Sequence, residues 1–525
     1  MTESVENIVT SQPIKVASFE RNLLGLVKGG GITLFGKMYT NVSRLGIAFF
    51  LARYLGAEQY GLYQLALNSI TLVSGIALLG LDIALVRFVA IAAGRKDDKS
   101  LWGILQIGIG IPSIISVFTG VGLFALSYPI AEYIFSDIRL APLLQIAGLV
   151  IPTITLSDVL VGAIRGFKNM HYPVMAQFIA QPTFRLVATI ILAFSGLDAF
   201  RAVLIFGASD LIATLLLVHY LNKLFPIRRS LRSAIYDAKE IFSYAIPDWM
   251  AGMMDRFRLN IQALLIGSLN TIAGVGVFAV ANQINILGND FYSSINISAR
   301  PLIAELHDQK EHSQLERVYQ MATKWSLAVN LPLFLLIILF PIELLSIFGE
   351  SFTQGSTALI ILAVANIVNV GTGMCGTILN MTGYTKLKLA NNLISLILSL
   401  IINFLLIPPM GIIGAAISVL AVQSVINGLR IVQVYHLIGL KTYNWSFVKP
   451  IFSAAFTYLV AWQLKGLVSP AGDLITILVV GVVICILFFG SLFLMGLTPE
   501  DHMIIRSIKK KALATFTGRN GNVEK

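Results

Sequence analysis

The sequence predicts an all-α polytopic membrane protein with about fourteen transmembrane helices, and three observations carry that prediction. Of the 525 residues, 56% are hydrophobic and 12% are charged, with a mean hydropathy of +0.80; a soluble protein carries roughly 25% charged residues. Apolar stretches of about 20 residues, enough to span a hydrocarbon core, follow one another along almost the whole chain. The basic residues between those stretches are sorted to one side. This composition excludes a multidomain soluble enzyme and also a disordered chain, which needs low hydrophobicity.

In chain order the expected spans are 31–54, 61–86, 101–126, 140–164, 172–195, 198–221, 241–267, 272–297, 325–348, 355–380, 389–407, 411–434, 447–464 and 474–495. The first thirty residues, with Glu3, Glu6 and Glu20, lack the pattern of a cleavable signal peptide, so 1–30 reads as a cytoplasmic N-terminal segment. Residues 31–221 then form a first six-helix bundle, 222–240 a cytoplasmic linker and 241–434 a second six-helix bundle. Residues 447–495 add two helices, and 496–525 form a basic cytoplasmic tail. Pro408, Pro409 and Met410 mark a tight hairpin between helices eleven and twelve. Within the second bundle, 301–324 reads as an amphipathic cytoplasmic segment. Its apolar positions are Ile303, Leu306, Leu315, Val318 and Met321, expected at the interface between the two halves.

Lysine and arginine test this map independently, because cytoplasmic connections carry an excess of both. With both termini inside, 29 of the 38 basic residues fall on the cytoplasmic side and four, Arg53, Arg139, Arg201 and Lys465, on the other. The formal charge of +11 is therefore an orientation signal toward anionic lipid headgroups and does not indicate a nucleic-acid partner. A weak internal repeat supports the same plan. Tyr60-Gly61-Leu62-Tyr63 matches Val275-Gly276-Val277-Phe278, and Arg87, Pro112 and Gly166 match Arg300, Pro332 and Gly383 at nearly the same shift. The unit is six helices, so two bundles are expected to be related by a pseudo-two-fold axis along the membrane normal, an arrangement that places a binding site near mid-membrane.

The remaining basic residues, Lys37, Arg44, Arg185, Arg256 and Arg258, lie inside the expected helices. Each costs about 2.5–3.5 kcal/mol at the bilayer centre, so they must face protein or water. At 1.5 Å per residue Arg44 and Arg185 lie about 20 Å, and Arg256 and Arg258 about 22–26 Å, from the cytoplasmic end of their helices. Lys37, Asn41 and Arg44 share one helix face, as do Gln177, Gln181 and Arg185. Asp248, Asp255, Arg258 and Gln262 share an arc of the seventh helix, and Asn282, Asn285, Asn289, Ser293 and Asn296 an arc of the eighth. The functional reading is a hydrated cavity with a cationic belt that binds an anion. The structural alternatives stand beside it: Arg256 and Arg258 pair with Asp255 or Asp210, Lys37 snorkels to the surface, and the asparagines bond between helices. Asp210, Asp248 and Asp255 are candidate carboxylates for a coupling Na+ or H+, while Asp158 and Asp290 read as paired or water-facing.

Other motifs carry nothing. The stretch GITLFGKM at 31–38 departs from a phosphate-binding loop because Met38 stands where Ser or Thr is required, so no nucleotide is expected. Cys375 and Cys485 give neither a disulfide framework nor a metal spacing, and the six histidines sit in or beside cytoplasmic loops; no cofactor or metal is indicated.

Residues 51–63 (LARYLGAEQYGLY) and 79–88 (LGLDIALVRF), with Gly162 to Gly166 ahead of Phe167 and the Arg300-Pro301 pair, closely resemble the polysaccharide-transporter branch of the multidrug/oligosaccharidyl-lipid/polysaccharide (MOP) exporter superfamily, which includes the O-antigen flippases. The resemblance spans helices one to twelve. It implies that a lipid-linked (polyprenyl-pyrophosphate) oligosaccharide is turned from the inner to the outer leaflet of the cell membrane by two bundles alternating access. Arg53, Gly56, Gly61, Asp82, Arg87 and Arg300 then read as hairpin and gate structure. Partners implied are the lipid-linked oligosaccharide and membrane lipids, for a monomer that can associate with a glycan polymerase or glycosyltransferases. A flippase for lipid-linked peptidoglycan precursor, or a multidrug antiporter, is the nearest alternative. A membrane glycan polymerase or ligase is disfavoured, because the longest outer connection, near 127–139, is too short to hold an enzyme's site.

Overall fold

The computed structural model describes residues 12–226, 238–468 and 473–496, with side chains from Gly36 onward except at 289–291, 385, 468, 473 and 474. The expected basic tail beyond Gly496 and most of the expected 222–240 linker lie outside the described residues. Those described are helical throughout, with no strand among them. Fourteen long helices appear. They are α1 (12–55), α2 (57–78, resuming at Leu81–Arg95), α3 (Asp98–Ala125), α4 (Leu140–Gly166), α5 (His171–Ser195), α6 (Ala199–Leu224) and α7 (Ala238–Leu269). After them come α8 (Ile272–Asp308), α9 (His312–Leu339), α10 (Ser356–Gly371, resuming at Cys375–Met381), α11 (385–410), α12 (412–438), α13 (Val448–Val468) and α14 (Asp473–Leu494). Among the described residues, ten helical stretches are long and apolar enough to cross a bilayer, two of them each holding a folded pair, α1 with α2 and α11 with α12. Helix α7 falls outside this set because it carries Lys239, Glu240, Asp248, Asp255, Arg256 and Arg258.

Two glycines make the folds between paired helices. Gly56 (φ 69°, ψ 175°) separates α1 from α2, and Gly411 (φ 56°, ψ −129°) separates α11 from α12; side chains seldom reach these regions. The second fold refines the sequence reading, since Pro408, Pro409 and Met410 are themselves helical and the turn is made one residue later. The first helix likewise starts at Gln12, well before the expected start near 31.

By contact the chain forms two compact units, Met1–Ala279 and Val280–Lys525. In the first, Leu85, Val89, Trp102, Leu105, Leu160, Ile164, Leu217 and Leu221 form a buried core across α2, α3, α4 and α6. Helix α7 joins this unit through α2. Trp249 Nε1 donates to the Gly75 carbonyl at 2.9 Å, and the Arg87 guanidinium stacks 4.5 Å from the centre of the Tyr244 ring. Helix α2 is broken beside this contact, Leu79 and Gly80 both having positive φ. Lipid supplies little hydrophobic drive for association, so membrane helices are held by close backbone approach at small residues. The closest is reciprocal: a Cβ on Gly61 would lie 2.0 Å from the Ile272 carbonyl oxygen, and one on Gly276 would lie 2.1 Å from that of Ala57. Each oxygen belongs to the residue four before the opposite glycine. Gly61 and Gly276 are also the glycines matched by the sequence repeat, and this local exchange symmetry is what a two-fold relation between their segments produces.

Arg139, Arg201 and Lys465, all assigned to the outer side, are paired with carboxylates. Arg139 bridges Glu58 (2.5 Å) and Asp137 (2.6 Å), Arg201 lies 3.9 Å from Asp198, and Lys465 lies 2.6 Å from Glu343. The hydrogen-bonded Arg139 guanidinium holds the Asp137 carboxyl below the usual carboxylate range. A depressed folded-state pKa stabilises the contact above the unfolded value of about 3.9 and loses that contribution as pH falls through the folded value. R139A at neutral pH is therefore expected to raise amide hydrogen exchange across 130–138 several-fold, and the wild type is expected to show the same rise only below the ordinary carboxylate range.

In the second unit α8 and α9 form a long hairpin turning at Lys310 (φ 59°). This corrects the expected amphipathic segment at 301–324, which is the tip of the hairpin and not a separate helix. Ile303, Leu306, Leu315 and Tyr319 are buried there against Met374, Cys375, Ile378, Val434 and Ile438 of the same unit, so its apolar face is satisfied locally. Helix α10 breaks at 372–374, where the carbonyls of Gly373 and Thr372 accept from the hydroxyls of Tyr292 (2.8 Å) and Tyr319 (3.4 Å).

Candidate functional site

The polar residues of the first unit converge on α5. The helix winds as a π-helix over Val174–Ala180, a feature that in helices often accompanies functional sites. Its local cause is chemical. Pro182 has no N–H to give the carbonyl of Phe178 four residues earlier, and that oxygen instead accepts from Thr40 Oγ1 of α1 at 3.1 Å. Tyr39 Oη shares a 2.8 Å hydrogen bond with Thr183 Oγ1, and Gly36 lies against Val174 and Phe178. Helix α1 thus docks where α5 departs from α-helical geometry.

From this segment three polar side chains reach neighbouring helices in sequence order. Gln177 Nε2 donates to Ser157 Oγ of α4 at 3.1 Å, and Gln181 Nε2 donates to Asp210 Oδ1 of α6 at 3.0 Å. Arg185 donates from Nε and Nη2 to Ser209 Oγ at 3.1 and 2.9 Å, with its guanidinium 4.1 Å from the centre of the Phe206 ring. Asp210 is buried, 4% exposed, and its Oδ2 has no hydrogen-bond partner. Arg185 and Asp210 form no direct ion pair; they interact at longer range, as does Asp158 with Asp210. Asp158 also senses Arg256 of α7 and Asp82, in the first turn of the resumed α2. A polar track therefore runs from Arg185 through Asp210 and Gln181, and from Gln177 and Ser157 through Asp158 and Asp82 to Arg256. Charges buried without direct partners are costly, so the track is an electrostatically underfilled line of donors and acceptors in an apolar unit.

The structure separates the five helix-borne cations. Arg185 lies in the track. Arg256 packs against α2 at Gly75, its Nη1 3.5 Å from the Thr71 carbonyl. Arg258 lies 3.7 Å from Asp255, the local pairing named as one alternative in the sequence. Lys37 and Arg44 are exposed on α1, and Asn41 is half-buried between them. Asp248 is exposed and Gln262 half-buried on α7. Of the residues read as gate or hairpin structure, Gly56 and Gly61 make the fold and close contact described above, and the Asp82 carbonyl lies where a Cβ on Gly162 would clash at 2.1 Å. Arg87 stacks on Tyr244, while Arg53 and Arg300 are exposed.

In the second unit Asn282 is half-buried, Asn285 presents its carbonyl to Asn366 Nδ2 at 3.0 Å, and Asn296 Oδ1 accepts from Thr377 at 3.0 Å; the Asn289 side chain lies outside the described residues. Ser157, Ser209 and Phe206 were not singled out in the sequence. Serine and phenylalanine on apolar helices carry no signal until their neighbours are known. Arg430 was also missed. One of the 29 basic residues counted on the cytoplasmic side, it lies inside α12, within hydrogen-bond reach of Asn427 and Asn392.

The all-helical polytopic fold, with an underfilled polar track inside one unit, defines an integral membrane protein of the transporter type. Its fold matches solved structures of the MOP superfamily. It superposes on a lipid II flippase MurJ in an inward closed conformation with a TM-score of 0.66, at 13% identity, covering 89% of this chain and 100% of that one. An inward-facing MATE family multidrug resistance transporter gives 0.64 at 16% identity, covering 76% and 94%. The family described as "Polysaccharide biosynthesis protein" matches residues 26–307, more than half of the chain, and a second family, MatE, matches 256–405. The chain belongs to the polysaccharide biosynthesis protein family. Among curated relatives, Stage V sporulation protein B of Bacillus subtilis is 26% identical over 80% of this chain and 83% of its own length. A probable low-salt glycan biosynthesis flippase, Agl15, of Haloferax volcanii is 27% identical over 35% and 39%, and capsular polysaccharide biosynthesis protein CapF of Staphylococcus aureus is 25% identical over 39% and 52%. The chain thus spans most of the first relative and about half or less of the other two.

Proposed function

We propose that this protein is a flippase that carries a lipid-linked, polyprenyl-pyrophosphate oligosaccharide across the cytoplasmic membrane by alternating access, for the synthesis of a surface glycan. The observation that carries the reading is the track around Arg185. Among the described residues it holds a guanidinium with no direct counter-ion, amides that can exchange hydrogen bonds with sugar hydroxyls, and a buried carboxylate with one unused oxygen. An arginine fork matches phosphate oxygens. Family membership supports the same substrate class, as do the Haloferax relative, a probable glycan biosynthesis flippase, and the Staphylococcus relative, a capsular polysaccharide biosynthesis protein. Membrane lipids would surround the carrier's tail, and the sorting of basic residues supports termini on the cytoplasmic side.

Direction would come from an ion gradient or from consumption of the product, with Na+ or H+ meeting a carboxylate. Asp210 is the strongest candidate, since it is buried with an unpartnered oxygen; Asp248 and Asp255 are more exposed. The runner-up, a flippase for lipid-linked peptidoglycan precursor, is favoured by the likeness of fold to MurJ. The two readings separate in cells depleted of the protein. Lipid-linked surface-glycan intermediates are expected to accumulate on the inner leaflet while peptidoglycan precursor stays at its normal level. Accumulation of the precursor alone would support the runner-up instead.

A further inference from the structure

We propose that Arg430 is the centre of a second, phosphoryl-anion site, built within the second unit by α10, α11 and α12. Its Nη1 and Nη2 lie 3.4 Å from the amide oxygens of Asn427 and Asn392, long contacts that occupy two of five donors. Among the described residues it forms no ion pair, and its electrostatic neighbours there are the uncharged groups of Tyr292 and Cys375. One side of the guanidinium packs toward Gly376, just past the break in α10, where an added Cβ would make ordinary van der Waals contact with Nη1 at 3.5 Å. Asn427 is fixed by donating to Asn369 Oδ1 at 3.1 Å, and one residue before Asn392, Asn391 and Gln433 exchange two hydrogen bonds at 2.7 and 3.1 Å. The amides that hold Arg430 are thus themselves held.

A half-buried guanidinium with unfilled donors and no carboxylate calls for an anion. The planar fork selects two oxygens on one phosphorus, and the Asn392 amide nitrogen can add a third donor. Arg430 lies eight residues before the end of α12 at Ile438, about 12 Å along the axis, a depth at which a phosphoryl group meets a helix from the headgroup layer. Two sources share this chemistry, the pyrophosphate of a lipid-linked glycan and the phosphodiester of an anionic phospholipid. Assigning the first rests on the proposed flippase function; the site itself does not.

The test uses the full chain in detergent, with farnesyl pyrophosphate, farnesol, phosphatidylglycerol and phosphatidylcholine as probes and affinity read by thermophoresis. The wild type is expected to prefer farnesyl pyrophosphate to farnesol by about ten-fold or more, the scale of charge-assisted hydrogen bonds. R430Q is expected to lower that preference several-fold, the Arg185 track keeping the remainder, and R430K to recover part of the loss. N392D places a carboxylate beside Arg430 and is expected to lower the preference to the R430Q level while raising the unfolding temperature, so it carries the test should R430Q fail to fold. Arg430-dependent selectivity for phosphatidylglycerol alone would support the site with a lipid headgroup as ligand and remove the substrate assignment. Farnesyl pyrophosphate binding unchanged in R430Q and N392D would overturn the site and leave the flippase reading standing. No anion preference at all in the wild type would also overturn it.

Discussion

G61V and G276V are each expected to abolish the accumulation of folded protein. Each added Cβ would meet a carbonyl oxygen at 2.0 or 2.1 Å, and a backbone oxygen in a helix cannot rotate aside as the tip of a side chain can. Overpacking typically costs 1–3 kcal/mol and occasionally more; a rigid clash puts these variants at or above about 3 kcal/mol. The contact is reciprocal, so the two substitutions should be equally severe. The matched control is G122V on α3, where nothing lies within 4 Å of the added Cβ. The measurement is the monodisperse yield of a fluorescent fusion together with its unfolding temperature. Wild-type behaviour of both G61V and G276V would show that the close approach is not needed.

R185A is expected to stop transport and also to destabilise the first unit, by about 1.5–3 kcal/mol, the scale of hydrogen bonds made by a charged group. The substitution removes two hydrogen bonds to Ser209, the stacking on Phe206 and the cation nearest the Asp210 carboxylate. D210N removes the charge and keeps the shape and the acceptor for Gln181. The double variant R185A/D210N should therefore be more stable than R185A alone, a coupling that a double-mutant cycle measures directly. Transport separates the roles. D210N alone sets the reference, because Asp210 is the candidate coupling carboxylate: an arginine that only braces the bundle would leave the double variant at the D210N transport rate, whereas a substrate-binding arginine would leave it at least about ten-fold below that rate. R185K, which keeps the charge without the fork, is expected to fall between.

Much of this was legible in the sequence because membranes impose strict rules. A span must be about 20 apolar residues, so the positions of α3, α4, α5, α6, α13 and α14 could be read within a few residues, whereas α9 starts at His312, 13 residues before its expected start at 325. The glycines at 56 and 411 could be placed near turns, although the prolines at 408 and 409 drew the second turn too early. What periodicity could not supply was partnership. Gln177, Gln181 and Arg185 were read as one polar set, yet nothing in α4 or α6 announced Ser157 or Ser209 as acceptors for Gln177 and Arg185. The π-helical winding that aims this set depends on Pro182 and on a hydroxyl from a distant helix, a relation with no local signature. Arg256 and Arg258, two residues apart, were read as equivalent, but helical rotation sends one toward α2 and leaves the other beside Asp255. The segment at 301–324 was amphipathic because it is the tip of a hairpin buried on its own unit, and amphipathicity alone does not say what covers an apolar face. Arg430 was lost because a basic residue near a helix end reads as loop charge until its asparagine neighbours are seen.

The central claim is that the chain moves a polyprenyl-pyrophosphate glycan between leaflets. The most direct test is reconstitution of the purified protein in liposomes loaded with a fluorescent, short-chain polyprenyl-pyrophosphate oligosaccharide, with the pool on each leaflet read by a membrane-impermeant quencher. The account predicts protein-dependent movement that is lost in R185A/D210N while the variant remains folded. Equal rates in protein-free, wild-type and variant liposomes, with wild-type protein verified as folded and supplied with Na+ and proton gradients of both directions, would contradict it.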